Sequence, residues 1–258
     1  MAQTDNPDAA ENTAASSPSA DADDELTVLL VRHGETTSNA EGRIQGHLDV
    51  PLSDRGRLQA QSLVSRLSHV WSGNGDGAFP VSLPCAIFSS DLSRAAETAR
   101  ILHTGVPALA SLPFAETALL RERGFGEWEG LTSVEIRSRY SNGAPLWTAP
   151  LNPPGSETWA AVGQRMEKAL HHVREHLPPV APDAQMPLTR SVVLVGHGGS
   201  LRMLLAFALG LGPEAAYAFR LNNTSLSAAT FLGLGSSKSK GRIILVNDTA
   251  HLETDIAV

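Results

Sequence analysis

Cysteine is almost missing from this 258-residue chain. Cys85 stands alone, which excludes an intrachain disulfide and any cysteine-rich metal site. A long hydrophobic run is missing too. The longest apolar stretch, residues 203–212, falls far short of the ~18 residues that suggest a membrane span. The amino terminus lacks the basic start and apolar stretch of a signal peptide. Positive charge is in deficit, with 20 Lys and Arg against 27 Asp and Glu and a formal net charge of −7. That deficit is local: residues 1–25 hold Asp5, Asp8, Glu11, Asp21, Asp23, Asp24 and Glu25 and no Lys or Arg, so residues 26–258 are formally neutral. A neutral body behind an acidic tail is not the footprint of a nucleic-acid binder, which needs clustered basic charge. These absences predict a soluble, cytoplasmic protein with neither a nucleic-acid nor a membrane partner.

What is present divides into a tail and a body. Residues 1–25 are rich in Ala, Ser, Asp and Asn with little to bury, a composition that predicts disorder. The body reads as a single domain over 26–258. Residues 27–31 (Thr-Val-Leu-Leu-Val) form an unbroken apolar, β-branched run of strand length, suited to a strand buried on both faces. Residues 85–88, 191–195 and 242–246 read alike, with 226–232 a weaker fifth strand. Helical patterns lie between them. Ser53 reads as an N-cap, with Ala60, Leu63, Val64, Leu67 and Trp71 on one face behind it. Further helices are expected over 92–102, over 159–177 before Pro178-Pro179, and over 200–209. The stretches 72–80, 178–190 and 233–241 read as loops. Strands alternating with helices of this length predict an α/β fold with a mainly parallel sheet.

In such sheets ligands collect at the carboxyl ends of the strands, and the distinctive polar residues stand there. Arg32-His33-Gly34-Glu35 follows the first strand, Ser89-Ser90-Asp91-Leu92-Ser93-Arg94 the second, and Gly196-His197-Gly198-Gly199-Ser200 the third. If these strands are parallel neighbours, Arg32, His33, Arg94 and His197 converge. Two guanidiniums suit phosphate oxygens, and a histidine can act as a covalent nucleophile. Phosphoryl transfer needs positioning and charge neutralisation, which arginines and a second histidine supply without a metal or cofactor.

Five ordered blocks then resemble one family. They are Arg32-His33-Gly34-Glu35-Thr36-x-x-Asn39; Gln45-Gly46-x-x-Asp49-x-Pro51-Leu52-Ser53-x-x-Gly56; Ser89-Ser90-x-Leu92-x-Arg94-Ala95-x-x-Thr98-Ala99; Leu120-Arg121-Glu122-x-x-x-Gly126-Glu127-Trp128-Glu129-Gly130; and Gly196-His197-Gly198-Gly199-x-Leu201-Arg202. Together they resemble the histidine phosphatase superfamily, also called phosphoglycerate-mutase-like, over residues 26–251. The resemblance implies a three-layer α/β/α sandwich. It also implies a metal-independent phosphomonoesterase of the phosphatase branch, acting on a small-molecule phosphomonoester. In those terms His33 is the phosphorylated nucleophile, Arg32 and Arg94 hold the phosphate, His197 completes the pocket and Asn39 contacts phosphate or substrate. Glu122 donates a proton to the leaving oxygen and then serves as base for water, with Glu127 and Glu129 as nearby rivals. Arg43, Gln45, Gly46 and Trp128 are expected to shape the substrate side, with residues 141–157. Ser156-Glu157 departs from the family pattern, which often has a further Gly before Glu, so substrate contacts should differ there while the phosphate machinery is untouched.

Several other readings compete. A phosphoglycerate mutase would share the same inner residues, and a non-catalytic phosphate binder could use the same fold. His172-Val-Arg-Glu175-His176 matches a zinc-peptidase pattern but reads better as a solvated helix face. Residues 233–239 look superficially like a phosphate-binding loop, without the Gly before Lys. Trp147 and Trp159 read as core, and the backbone at Ser200 is a possible anion site at a helix start.

Overall fold

A computed structural model describes residues 25–72, 79–140, 152–179, 190–234 and 240–252. The expected tail, the loop readings inside 73–78, 180–189 and 235–239, Trp147 and most of 141–157 lie outside these residues. At the centre is β1 (Glu25–Arg32), with its six middle residues all buried. Beside it runs β4 (Arg190–Gly196), parallel and in a register that sets Val31 against Val195 and Arg32 against Gly196. β2 (Ile87–Ser90) adds parallel to β4, and β3 (Phe114–Thr117) adds parallel to β2. On the other side β5 (Leu226–Leu232) pairs antiparallel with β1, and β6 (Lys240–Asp248) antiparallel with β5. The sheet order is therefore β3-β2-β4-β1-β5-β6, mainly parallel and forming one domain.

Period-2 alternation sorts β1 into two cores. Leu26, Val28 and Leu30 point to one face, packed against Val162, Met166, Leu170 and Val173 of α5 (Trp159–Glu175) and Leu201, Leu204 and Leu205 of α6 (Gly198–Ala208). Leu29 and Val31 point to the other, against Leu63, Val64 and Leu67 of α2 (Asp54–Trp71) and Ala95, Ala99 and Leu102 of α3 (Ser93–Gly105). The result is three layers. No helix among the described residues is long and apolar enough to cross a membrane.

The N-cap at Ser53 is present, its hydroxyl oxygen accepting from the Gly56 N–H at 3.0 Å. Gly56 has a second reason. A Cβ there would lie 2.0 Å from the carbonyl oxygen of Glu35, and one on Gly34 would lie 2.5 Å from the carbonyl oxygen of Gly56. The first turn of α2 thus rests backbone to backbone on the loop after β1, with no room for a side chain on either side. Three short elements were not anticipated. β3 is a four-residue edge strand of mixed polarity, α4 (Ser133–Tyr140) buries only Ile136, and α1 (Thr37–Ala40) is one turn long. None buries enough apolar surface to leave a periodic trace.

Candidate active site

Arg32, His33, Arg94 and His197 do meet, at the carboxyl ends of β1, β2 and β4. His33 leaves β1 with its backbone N–H donating to Gly196 O at 3.0 Å. Arg94 projects from the first turn of α3, just after β2, and His197 leads from β4 into α6. The β1–β4 register brings the two imidazoles side by side, with ring centres 5.1 Å apart.

The electrostatics of this centre follow from burial. His33 is 3% exposed and its Nδ1 lies 2.7 Å from Gly34 O. A carbonyl can only accept, so Nδ1 carries the proton and Nε2 keeps its lone pair. Burial first, and then the charges of Arg94 and Arg32, hold the His33 pKa well below the usual imidazole value. His197 is fully buried and, among the described residues, neither ring nitrogen has a hydrogen-bond partner; burial followed by Arg94, His33 and Arg32 lowers its pKa in the same way. Arg94 donates from Nη1 to Leu48 O and from Nη2 to Gly46 O, both at 2.8 Å, while its buried Nε has no partner among the described residues. Arg32 donates from Nη1 to Leu221 O at 2.6 Å, and its buried Nε is likewise unpartnered among the described residues. Burial, then the neighbouring Arg202, bring the Arg32 pKa down to about 10, with Glu122 acting in the opposite sense. An unsatisfied buried donor costs roughly 1–3 kcal/mol. Two such guanidinium nitrogens beside one unprotonated imidazole nitrogen suit an anion rich in acceptor oxygens.

Glu122 closes the inner site from the side of α6. Its Oε2 accepts from Gly199 N–H at 2.9 Å, and its Oε1 from Ser200 N–H at 3.1 Å and Arg123 N–H at 2.8 Å. The group that caps this helix start is therefore the protein's own Glu122 carboxyl, whose oxygens take up the amides of Gly199 and Ser200, which corrects the reading of Ser200 as an open anion site. The Glu122 backbone is anchored as well, its carbonyl accepting from His47 Nε2 at 2.8 Å and Arg165 Nη2 at 3.1 Å. Arg165 is in turn ion-paired with Glu157 at 2.7 Å. Glu157, next to the departure from the family pattern at Ser156, thus braces Glu122 from behind. Of the rival carboxylates, Glu127 accepts from the Tyr140 hydroxyl on the surface, and Glu129 accepts from the backbone N–H groups of His47 and Phe125.

Around this centre lies a cavity of about 200 Å³ whose lining includes Arg32, His33, Arg94 and Glu122. Asn39, Arg43, Gln45, Gly46 and Trp128 line it too, so every expected side chain except His197, which is fully buried, borders the same space. Gly46 sits at φ +54, where a Cβ would lie 2.0 Å from Glu129 Oε1. Only glycine can turn there and still offer its carbonyl to Arg94. Trp128 is 6% exposed, and its Nε1 has no partner among the described residues. Arg43 is held by Glu41 and Glu135.

Further lining comes from Arg123, Phe125, Trp159, Arg202 and Tyr217, none of which was assigned to the site. Trp159 was expected in the core and packs, half-buried, against it; it also stacks against the Arg123 guanidinium at 4.8 Å and donates its Nε1 to Tyr217 Oη at 2.6 Å. Arg202 belongs to the Gly-His-Gly block, and that was the only available signal for it. The zinc reading of His172 and His176 finds no support: His176 Nδ1 donates to the His172 carbonyl oxygen at 2.7 Å. Among the described residues no cluster of three or more His, Cys, Asp or Glu could hold a metal.

Residues 28–247 match a protein family described as the histidine phosphatase superfamily, branch 1. The chain is 31% identical over 234 residues to phosphoglycerate mutase-like protein 4 of Arabidopsis thaliana, covering 89% of this chain and 88% of that one. It is 33% identical over 187 residues to glucosyl-3-phosphoglycerate phosphatase of Mycolicibacterium vanbaalenii, covering 71% and 74%. Among solved structures, mycobacterial glucosyl-3-phosphoglycerate phosphatase in complex with VO3 matches with a TM-score of 0.69 at 28% identity, covering 86% of this chain and 98% of that one.

Proposed function

This chain belongs to the histidine phosphatase superfamily, and from that premise we propose that it is a phosphomonoester hydrolase working through a phosphohistidine on His33. The observation that carries this reading is the state of His33. Its Nδ1–H is committed to Gly34 O, and its unprotonated Nε2 lies in the same inner pocket as the unpartnered Nε groups of Arg32 and Arg94. In the first step the Nε2 lone pair attacks phosphorus and the bond to the leaving oxygen breaks. Arg32 and Arg94 neutralise charge on the phosphoryl oxygens, so the chemistry asks for no metal. Glu122, carrying a proton, delivers it to the departing alkoxide oxygen, and the alcohol leaves. Water then attacks the phosphohistidine, Glu122 takes the proton back, the N–P bond breaks and inorganic phosphate departs. His197 supports the transferring group from beneath, and Asn39 offers an amide to phosphate or substrate. Arg43, Gln45, Gly46 and Trp128 border the leaving group.

The test is to replace His33 with Ala, verify folding, and assay a generic phosphomonoester. Hydrolysis should fall on the order of 10³-fold or more, and acid-labile phosphate on His33 should vanish from rapidly quenched mixtures. Wild-type turnover by the folded variant overturns the reading. A phosphohistidine that persists in water and needs a bisphosphate primer assigns the chain to mutase chemistry instead.

A further inference from the structure

The segment Gly46-His47-Leu48 touches both halves of the reaction. The carbonyls of Gly46 and Leu48 each accept from Arg94 at 2.8 Å, and Asp49 Oδ1 accepts from Ser93 N–H at 2.7 Å. The segment is thus tied to the start of α3, from which the phosphate-holding guanidinium projects. His47, between the two carbonyls, turns the other way. Its Nε2 lies 2.8 Å from Glu122 O; a carbonyl can only accept, so Nε2 carries a proton and donates it. Its backbone N–H donates to Glu129 Oε1 at 2.9 Å, the oxygen that also accepts from Phe125 N–H. Both the ring and the backbone of His47 therefore hold the stretch that carries Glu122.

The peptide planes on either side of the Glu122 Cα are fixed by the same set of donors. Arg165 Nη1 donates to Arg121 O at 2.7 Å, and Arg165 Nη2 joins His47 on Glu122 O at 3.1 Å. Fixing both planes fixes the direction in which the Glu122 side chain leaves the backbone. His47 is the member of this set that also belongs to the segment gripping Arg94. Its ring is not part of the described cavity lining, so it acts through Glu122. The block Gln45-Gly46-x-x-Asp49 leaves its position open, and the family resemblance assigns it no role. We propose that His47 is a positioning residue for proton transfer, its imidazole setting Glu122 at a fixed distance from the phosphate that Arg94 holds. The proposal rests on Glu122 being the proton donor.

The experiment measures kcat/KM of His47→Ala, His47→Gln, Glu122→Gln and the His47→Ala, Glu122→Gln double variant on benzyl phosphate and p-nitrophenyl phosphate. The two compounds are close in size, but benzyl alkoxide needs a proton to leave and p-nitrophenolate does not. The His47 side chain is 37% exposed, so truncating it opens no sealed cavity, and circular dichroism verifies folding. His47→Ala should lose roughly three- to tenfold on benzyl phosphate, the range of one hydrogen bond, and less than about twofold on p-nitrophenyl phosphate. His47→Gln, whose amide can donate to the same carbonyl, should recover most of that loss. With Glu122 already replaced, His47→Ala should cost almost nothing more on benzyl phosphate. Equal losses on the two compounds overturn the proposal, because they place His47 behind Arg94 or the fold at large. No loss on either compound, or a full additional loss in the double variant, overturns it as well. If Glu122→Gln discriminates between the compounds and His47→Ala does not, the proposal alone falls. If Glu122→Gln loses equally on both, the proton-donor reading falls and the proposal with it.

Discussion

The side-chain amide of Asn223 donates to the backbone carbonyl of His33 at 3.0 Å and reaches Oδ1 of Asn39 at 3.3 Å. Next to it Thr224, at φ +55, donates its N–H to Arg32 O at 3.0 Å. The turn entering β5 therefore grips the end of β1 where the two foremost site residues sit. Because Oδ1 of Asn39 also accepts from Thr36 N–H at 3.2 Å, its acceptor side is occupied and its Nδ2 is the group left for the cavity. Asn223 acts on the site through Asn39 and His33; it positions them.

Removing that amide should loosen both. Asn223→Ala is expected to lower kcat/KM about tenfold, corresponding to a lost hydrogen bond in a buried setting. A double-mutant cycle with Asn39→Ala separates this from plain destabilisation. The two losses should be less than additive, whereas additive losses show that Asn223 supports the fold alone.

Glu122→Gln should reveal the proton donor through its dependence on the leaving group. With an alkyl phosphate, the loss is expected on the order of 10²-fold or more. With p-nitrophenyl phosphate, whose anion departs without a proton, the loss should be far smaller. Glutamine keeps one of the two acceptors that the α6 amides use, so equal losses on both substrates would assign Glu122 to holding the start of α6.

The buried histidines set the response to acid. His33 and His197 have folded pKa values well below the ordinary 6.5, and His251 is brought by burial to about 4. Below pH 6.5 the unfolded chain therefore binds more protons than the folded one. Their contribution to stability is complete above about pH 6.5 and is lost as pH falls from there through the folded values. Denaturant titrations at pH 7 and pH 5 should show a lower unfolding free energy at pH 5. In the same window His33 stays unprotonated while folded, so the acid limb of kcat/KM should lie below pH 6.5. A limb centred at or above 6.5 contradicts the buried, arginine-flanked state of His33.

Much of the inner site was legible in the chain because each residue is tied to a strand end. A run such as 27–31 suits a strand buried on both faces, which puts Arg32 and His33 at the sheet's carboxyl edge, and 191–195 does the same for His197. The blocks containing Asn39, Gly46 and Gly56 marked tight places, although only the contact of Gly56 with Glu35 and the positive φ of Gly46 explain why glycine stands there. The outer cavity was not legible. Arg123, Trp159, Arg202, Tyr217 and Asn223 come from separate helices and turns, and nothing periodic in their neighbourhoods tells which way each side chain faces.

The amino-acid sequence by itself determined the α/β alternation, the two-faced burial of the central strands and the presence of two arginines and two histidines at their ends. These are properties of local runs, where hydrophobic period and position along one strand suffice. Tertiary structure alone decided that Glu122 is clamped to the start of α6, that Asn223 holds His33 and Asn39, and that Arg202 and Tyr217 line the same cavity as His33. Those relationships join residues far apart in the chain, and only packing of helices across the sheet brings their charges and donors within hydrogen-bonding range.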